Sequence, residues 1–571
     1  MPAPDAPALT LAGVEDLIMA KHDLPIQTRR EMRSRIECFA RVCNRNPADI
    51  IADPAIIRAL ADKASWQLAG HSKAYWANVM SILRRALSIA GVRVQRQRRN
   101  FKLDASWEAL FAPLLRRDRD DLHRFAGWCS TLGIEPTAVD AQTFERFLAF
   151  CEECMTQRNP RERAHVARRA WNRAIVCGGA PYTSIPAPVP ARKAAMRWPD
   201  FPHSLGKEID VWRARAVADN DFDDDHKPIK PITADNYETR LRVMLSAAVA
   251  SGVTASHFVS LDRAIEPDLI KRAFGHLRGG NELDDRLKQN LHSMIIACLH
   301  IDRYLGNDPE RRVALSKLEK KVRFVARGMT PKNNERVTAL MQPRARQALL
   351  KLPQRVFDEL KDVTKPTVRQ AQRMQYALQL DILLHLPMRL RNLTELDLAS
   401  TIAPPIAGTA GRWRISIPKD DVKNKVAVDG ELIERPSAIA TRFLEVHRPV
   451  LAKGHSTRLF LGQSGKAKGG KSLSKDLVQF LKREAGVIVN PHLMRHLAAH
   501  LWLAAHPGDY ATASKLLGHK KIETTIRFYA GLETEHAVAT YSALVEQLYE
   551  DQKNAGSASP GTKGKKGGAG K

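Results

Sequence analysis

The chain has 571 residues and a formal net charge of +28 at pH 7. The length predicts several domains, and the charge makes nucleic acid the first partner to consider, because neutralising phosphates needs many dispersed cations. Seven cysteines, a small and odd number, argue against a disulfide framework and favour a reducing compartment. We find no signal peptide and no apolar run long enough to span a bilayer, which indicates a soluble intracellular protein with no membrane partner.

Amphipathic spacing predicts helices over most of the first 178 residues. We expect an N-terminal helical unit over 1–92 and a second helical unit over 105–178, followed by a Pro-rich linker over 179–206. Cys151-x-x-Cys154 lies in the second unit and has no partner pair at zinc spacing. We therefore expect two small residues in a helical core rather than a metal site.

A third helical unit is predicted over 207–306. The acidic stretch 219–225 does not fit a calcium-binding loop, because Asp224 and Lys230 occupy the positions that need Gly and Glu. A further domain over 345–550 contains the one clear period-2 pattern of the chain, which predicts a β-hairpin with its tip near 419–424. The Lys- and Gly-rich tail, 552–571, is expected to be disordered.

Residues 465–472 match the phosphate-binding pattern G-x-x-x-x-G-K-[ST]. An apolar segment precedes them and a helical pattern follows, which is the local context of such a loop. However, the sequence lacks the series of βα units that a nucleotide-binding parallel sheet requires. We therefore do not expect an NTPase.

The most informative stretch runs from His492 to Tyr529. His492 and Arg495 lie three residues apart, so on a helix they share one face and can hold one group together. A break at 506–509 ends that helix, and Gly518 is placed to end the next one, so His519 falls in a tight turn. Tyr529 follows on a third short helix.

In this order and spacing, these residues resemble the C-terminal signature of the tyrosine recombinase (phage integrase) family. The resemblance implies a mainly α fold, with helical N-terminal units, a helical core-binding domain at 207–306 and a catalytic domain at 345–550 that contains a small antiparallel β-hairpin or sheet. It extends over about 207–550 and is strongest at 492–529, whereas the first two helical units are additional to the family's minimal form.

Matching the family residue by residue implies a catalytic set, with the rivals left open in two places. Arg391 is the nearest rival of Arg389 as the first arginine, and Lys419 and Lys425 are rivals of Lys423 as the lysine at the hairpin tip. We treat His500 and His506 as structural, and Tyr510, Tyr541 and Tyr549 as less suitably spaced nucleophiles. The expected catalytic residues are Arg389, Lys423, His492, Arg495, His519 and Tyr529.

These residue types suit cleavage of a DNA phosphodiester without the family argument. A Tyr hydroxyl is the nucleophile, and two guanidinium groups can hold the non-bridging oxygens and stabilise the transition state. A lysine near other cations has a lowered pKa and can protonate the leaving 5′-oxygen. The 3′-phosphotyrosyl link would store the bond energy, so neither a metal ion nor ATP is expected, and no other cofactor.

The resemblance implies a site-specific DNA recombinase or integrase of a mobile element, acting on double-stranded DNA in the cytoplasm, in association with the nucleoid. Four protomers would assemble on two DNA sites, and accessory proteins are not specified. The segment 532–550 would dock either on a neighbouring protomer or back on its own domain. Asn392 departs from the family's acidic residue, which keeps a non-catalytic DNA-binding protein as an alternative. A DNA-relaxing enzyme resembling type IB topoisomerases is the other.

Overall fold

The computed structural model describes residues 8–94, 103–156, 159–178, 182–186, 195–218, 228–306, 308–325, 328–405, 411–422, 424–529, 538 and 541–550. Over these ranges the fold is mainly α-helical with one small antiparallel sheet, which confirms the predicted fold class. The chain divides into two compact units, one formed by 1–186 together with 328–571 and the other by 187–327. Within the described residues, no helix is both long and apolar enough to cross a membrane.

The N-terminal part of the first unit contains two helical cores. The first core is centred on Phe39 and Leu83, and the second on Phe125 and Trp171. Cys151 and Cys154 are both buried in this region. The helices are α1 (Leu11–Met19), α2 (Ile26–Val42), α3 (Pro54–Lys63), α4 (Lys73–Ile89), α5 (Ala105–Phe111), α6 (Arg116–Thr131), α7 (Ala141–Cys154) and α8 (Pro160–Gly178).

The unit formed by 187–327 is entirely helical where it is described. Its core extends from Phe201 to Val322, beyond both ends of the range 207–306, and the domain boundaries remain predictions. The acidic stretch 219–225 lies outside the described residues. The helices are α9 (His203–Val217), α10 (Pro231–Ala250), α11 (Leu261–Ala264), α12 (Pro267–Arg278), α13 (Asp285–Tyr304) and α14 (Pro309–Val322).

The C-terminal part of the first unit is built around the buried helix α17. The sheet has the order β1-β2-β3, and Ile415 and Ile417 of β2 face the core. Its elements are α15 (Pro331–Met341), α16 (Pro343–Leu360), α17 (Val368–His385), α18 (Leu390–Thr394), β1 (Ile402–Ala403), β2 (Arg414–Ile417), β3 (Val428–Glu431), α19 (Glu434–Arg442), a π-helical turn (Phe443–His447), α20 (Arg448–Leu451), α21 (Gly470–Ala485), α22 (Pro491–Ala505), α23 (Tyr510–Leu516) and α24 (Ile522–Tyr529).

The segment between α3 and α4 attaches to the end of α21. The Ser65 hydroxyl donates to the carbonyl of Gly486, and the Gln67 amide donates to the carbonyls of Lys482 and Arg483. Lys482 in turn donates to the carboxylate and the carbonyl of Asp62. Each of these bonds satisfies a backbone or charged group at the end of a helix, where intrahelical partners are missing. The N-terminal helices are thereby fixed to the C-terminal part of the same unit.

Gly486 allows this close approach. It ends α21 with φ +72°, and a Cβ built on it would lie 2.9 Å from Oε1 of Gln67 and 3.3 Å from its Cβ. Gly91 ends α4 with a similar φ of +85°, but a Cβ there would meet nothing within 4 Å. The two glycines therefore share the backbone requirement, and only Gly486 has the crowded neighbour.

We expect Gly486→Ala to loosen the attachment of residues 65–68. Both Gly486→Ala and the control Gly91→Ala introduce left-handed strain of about 1 kcal/mol. Only the first also displaces Gln67 from its two carbonyls, which should speed amide hydrogen exchange at Leu68 by about tenfold. Equal exchange rates at Leu68 in the two variants would contradict this assignment.

Candidate active site

The end of α17 places the first predicted arginine. The helix ends at His385, and after a short turn Arg389 forms the N-cap of α18. Its Nη1 donates to Oδ1 of Asn424 at 2.5 Å, and the Asn424 amide donates to the carbonyl of Gly518. The rival Arg391 is exposed and pairs with Glu395 at 2.9 Å. Asn424 therefore links Arg389 to the turn that precedes His519.

Arg495 is the buried cation of the site, with only 7% of its surface exposed. Its Nη1 donates to the carbonyl of Pro387 and its Nη2 to the carbonyl of Leu517, each at 2.5 Å. Burial, and after it the positive charge of Arg389, lower the pKa of Arg495 to about 10. The guanidinium is therefore held in a fixed orientation, and no carboxylate of the described residues forms an ion pair with it.

Arg389 and Arg495 line the same cavity, which has a volume of about 170 Å³. Asn392, which is buried, and Asn424 lie in the same wall. Among the described lining residues the only carboxylate is Asp429, which is already paired with Arg414 at 2.5 Å. Two arginines without a carboxylate of their own make this cavity suitable for an anion.

His492 and His519 approach the arginine pair from two different elements. His492 lies in the first turn of α22 with its ring partly exposed, and His519 lies in the turn after α23. Nδ1 of His519 is 2.8 Å from Oγ1 of the buried Thr525, which orients the ring. The pKa of both histidines is lowered, first by desolvation and then by the charges of Arg495 and Arg389. Four of the predicted residues are thus brought together.

Tyr529 lies near Arg495 and is almost fully buried, with 2% of its surface exposed. Its hydroxyl is 2.7 Å from Nδ1 of His496, and its ring contacts His500 edge-on at 5.6 Å between centroids. Burial raises the pKa of Tyr529 well above its usual range, although Arg495 acts to lower it. In this arrangement the phenol is protonated and hydrogen-bonded to His496.

His496 and His500 are neutral at physiological pH in this environment. Burial, and then the surrounding His492, His500 and Arg495, lower the pKa of His496 to about 4. Burial lowers the pKa of His500 to about 4. A neutral imidazole can either accept the Tyr529 proton at Nδ1 or donate its own.

The predicted lysine, Lys423, lies outside the described residues. Its rivals Lys419 and Lys425 are exposed on either side of it, and Lys425 has a φ of +54°. The rival tyrosines occupy other positions. Tyr510 packs in the small core around Tyr529, while Tyr541 and Tyr549 are exposed on a helical segment that spans 541–550.

In the loop that matches the phosphate-binding pattern, the amide and the ammonium group of Lys468 are occupied. The Lys468 amide donates to the carbonyl of Phe460, and the Lys468 ammonium is buried 2.7 Å from Asp476 and over the Tyr376 ring. The sheet in the described part of the chain is antiparallel and contains only β1, β2 and β3. Among the described residues, the loop therefore lacks the parallel sheet on which a nucleotide-binding domain places it.

Sequence reasoning missed Asn424 and His496 as parts of the site. Asn424 is the residue after Lys423 at the predicted hairpin tip, and His496 is the residue after Arg495. A side chain one residue further along a helix points about 100° away, so His496 can face Tyr529 while Arg495 faces the cavity. The signal available was adjacency to motif residues, but their partners depend on the fold.

Comparisons with known proteins find similarity over the part of the chain that contains most of the candidate site. Residues 352–536 match the model of the phage integrase family, so the resemblance found in the sequence is confirmed over that segment. The chain is 32% identical over 107 residues to the tyrosine recombinase XerC of Pseudomonas syringae pv. syringae, which covers 18% of this chain and 35% of that protein. It is 33% identical over 86 residues to XerC of Pseudomonas fluorescens, which covers 15% and 28%.

The matched segment spans about a third of the length of these curated relatives. Among solved structures, the XerH recombinase bound to its difH substrate aligns at 16% identity and a TM-score of 0.35, covering 55% of this chain and 80% of that one. A lambda integrase tetramer bound to a Holliday junction aligns at 14% identity and a TM-score of 0.32, covering 63% and 86%.

We expect the stability of the site to fall as the pH drops from about 6.5 to about 4. The pKa values of His496 and His500 are about 4 in the folded chain, below the unfolded value near 6.5, so protonation favours unfolding in this window. Each ring should cost roughly 1–2 kcal/mol between pH 7 and pH 5. The measurement is the midpoint of thermal unfolding at these two pH values.

The control compares two double variants. His496→Asn with His500→Asn should flatten the pH dependence, whatever its effect on the midpoint at pH 7. His455→Asn with His506→Asn replaces two exposed rings and should leave the dependence unchanged. The same dependence in both variants would show that other groups are responsible.

Proposed function

We propose that this chain is a site-specific DNA recombinase or integrase that cleaves and rejoins DNA strands through a 3′-phosphotyrosyl intermediate. The observation that carries the proposal is that Arg389 and Arg495 line one cavity, with Tyr529 near Arg495. The phage integrase family match over 352–536 supports the same reaction class. Double-stranded DNA is the proposed substrate, and the helical domain at 207–306 is the proposed core-binding domain.

The two arginines would bind the non-bridging oxygens of the scissile phosphate. Their guanidinium groups are preorganised by Asn424, Pro387 and Leu517, so little rearrangement is needed as charge develops in the transition state. His492 and His519 lie beside them and would donate hydrogen bonds to the same phosphate or orient it. The chemistry conserves the phosphodiester energy in the tyrosyl ester, so it needs no ATP.

Tyr529 would attack the phosphorus after its hydrogen bond to His496 is broken. Its hydroxyl is buried in the observed arrangement, and an in-line attack requires it to face the cavity. Its proton would pass to a neutral histidine, and Lys423 would protonate the leaving 5′-oxygen. Until DNA is in place, burial and the hydrogen bond to His496 would hold the phenol protonated.

Assembly of four protomers on two DNA sites remains a proposal that follows from the resemblance. Residues 541–550, which belong to the segment proposed to dock on a neighbouring protomer, form a helical segment whose side chains are all exposed. Tyr541, Leu544 and Leu548 repeat at helical spacing along it. An apolar stripe of this kind can be buried by a second copy or by the chain's own domain.

The first test is a covalent trap. Duplexes that the protein selects from a random-sequence pool are nicked near the binding site and incubated with the protein, and a denaturation-resistant, protease-sensitive adduct is sought. We expect an adduct with the unaltered chain, none with Tyr529→Phe, and at least about 100-fold slower formation with Arg495→Gln, because one preorganised donor is lost.

The rival tyrosines provide the control for this trap. Tyr510→Phe and Tyr541→Phe should form the adduct at the normal rate. An adduct that survives Tyr529→Phe would overturn the assignment of the nucleophile. Failure to form any adduct on duplexes that the protein binds tightly would favour a non-catalytic DNA-binding protein.

A second test identifies the general acid. A 5′-bridging sulfur leaves as a thiolate, whose conjugate acid has a pKa of about 8.5, so it needs no proton from the enzyme. We expect Lys423→Ala to slow cleavage of ordinary DNA by about 10²–10⁴-fold and to cleave the sulfur-containing DNA at nearly the normal rate.

Lys419→Ala and Lys425→Ala are the matched controls on either side. Both should cleave ordinary DNA at nearly the normal rate. If one of them, rather than Lys423→Ala, is slowed and rescued by sulfur, the general acid is that residue. Slowing of Lys423→Ala without rescue would assign this lysine to DNA binding instead.

A further inference from the structure

A second charged cavity of the first unit lies away from the candidate active site. It has a volume of about 810 Å³ and is enclosed by residues 66–73, by α16, by the first turns of α17 and by the end of α21. We call it the basic groove. Its charged lining consists of seven cations and one carboxylate, Glu484, the cations being Lys73, Arg344, Lys351, Arg355, Arg369, Arg373 and Arg483.

The one carboxylate in the lining is shared by three of these cations. Arg373, Arg355 and Arg483 lie 3.2, 3.7 and 3.2 Å from Glu484, and Arg373 also contacts Glu359 outside the lining at 2.7 Å. Burial acts to raise the pKa of Glu484, but the charges and hydrogen bonds of Arg373 and Arg483 keep it below its usual range. The Glu484 carboxylate is therefore already paired and neutralises little of the charge of the other four cations.

The other four cations are exposed and unpaired. Lys73, Arg344, Lys351 and Arg369 form no ion pair or side-chain hydrogen bond with any residue that the structure describes. They project from three different segments toward one space. Side chains of like charge repel each other in such an arrangement, so an anion that enters the groove gains from all four.

The walls of the basic groove are fixed in place. The segment 65–68 is bonded to the end of α21 through Ser65 and Gln67, and Leu68 packs against the large core. Arg355 also donates to the carbonyl of Glu484 at 2.9 Å, which joins α16 to α21. The cations therefore meet an incoming ligand from a preformed surface rather than from loose chain ends.

The groove is too far from the reaction centre to hold the scissile phosphate. Arg369 precedes the end of α17, His385, by 16 residues, which at 1.5 Å per residue corresponds to about 24 Å. Arg389 follows that end by four residues. A ligand in the groove must therefore be a different group from the one that Arg389 and Arg495 hold.

We propose that the basic groove binds the sugar–phosphate backbone of double-stranded DNA outside the segment that is cleaved. This inference rests on the proposed function and extends it to flanking DNA. Backbone contacts are made by Arg and Lys side chains that are free to reach successive phosphates, and they position the protein without reading sequence. Four unpaired cations on three segments fit this role.

The test is the salt dependence of binding, measured by fluorescence anisotropy with a labelled 60-base-pair duplex of arbitrary sequence. The groove variant carries Arg344→Gln, Lys351→Gln and Arg369→Gln. Its control carries Arg346→Gln, Lys361→Gln and Lys365→Gln, which removes the same charge from nearby positions that do not line the groove. Each phosphate contact adds about 0.9 to the slope of log K against log salt.

We expect the groove variant to lose between about 2 and 3 from this slope and the control to lose less than about 1. The adduct formed at saturating protein on the nicked duplex should be unchanged in the groove variant, because no group of the reaction centre is altered. Equal slopes in the two variants would overturn the proposal. A second result would also overturn it. If the unaltered chain binds a labelled polyglutamate peptide, and the groove variant loses that binding but keeps the full salt slope, the groove binds an acidic protein rather than DNA.

The salt dependence of DNA binding can be measured whether or not the protein cleaves DNA. If no adduct forms with any variant, the recombinase proposal fails, but the salt slopes still report whether the groove contacts DNA. If the adduct forms and the slopes are equal, the recombinase stands and the groove proposal fails.

Discussion

Burial of the Arg495 guanidinium is the constraint on which the candidate site depends. A charge removed from water must be compensated by hydrogen bonds, or it destabilises the fold by several kcal/mol. Here the compensation comes from two backbone carbonyls, that of Pro387 and that of Leu517. The first lies two residues before Arg389 and the second two residues before His519. A single side chain therefore holds together the three segments that present the other groups.

The same arrangement keeps the site positively charged and ready for an anion. Desolvation lowers the pKa values of both Arg389 and Arg495, and the charge of Arg389 lowers that of Arg495 further. A nearby carboxylate would relieve this cost, but it would also compete with a bound phosphate. Asp429, the carboxylate in the described wall, is kept in a pair with Arg414. The electrostatic cost of holding two cations side by side can thus be offset when negative charge develops on a bound ligand.

Features of the site could be predicted from the sequence where they depend on residues that lie close together in the chain. The spacing of His492, Arg495, His519 and Tyr529 is a property of three short helices, so the sequence reveals it directly. The hairpin of β2 and β3 follows from period-2 alternation, whereas the two-residue β1 has too few residues to show a pattern.

Contacts between distant segments could not be predicted in this way. The link from Arg389 through Asn424 to Gly518 joins positions 35 and 94 residues apart, and the attachment of Gln67 to α21 spans more than 400 residues. Both use backbone carbonyls at helix ends, which every helix offers and no residue type marks.

The helix α17 then acquires a role that its apolar sequence does not indicate. It is rigid and buried, with the basic groove at one end and Arg389 just beyond the other. A separation of about 24 Å corresponds to roughly seven base-pair steps of 3.4 Å each. If both ends contact one duplex, the helix sets the distance between the cleaved phosphate and the flanking backbone.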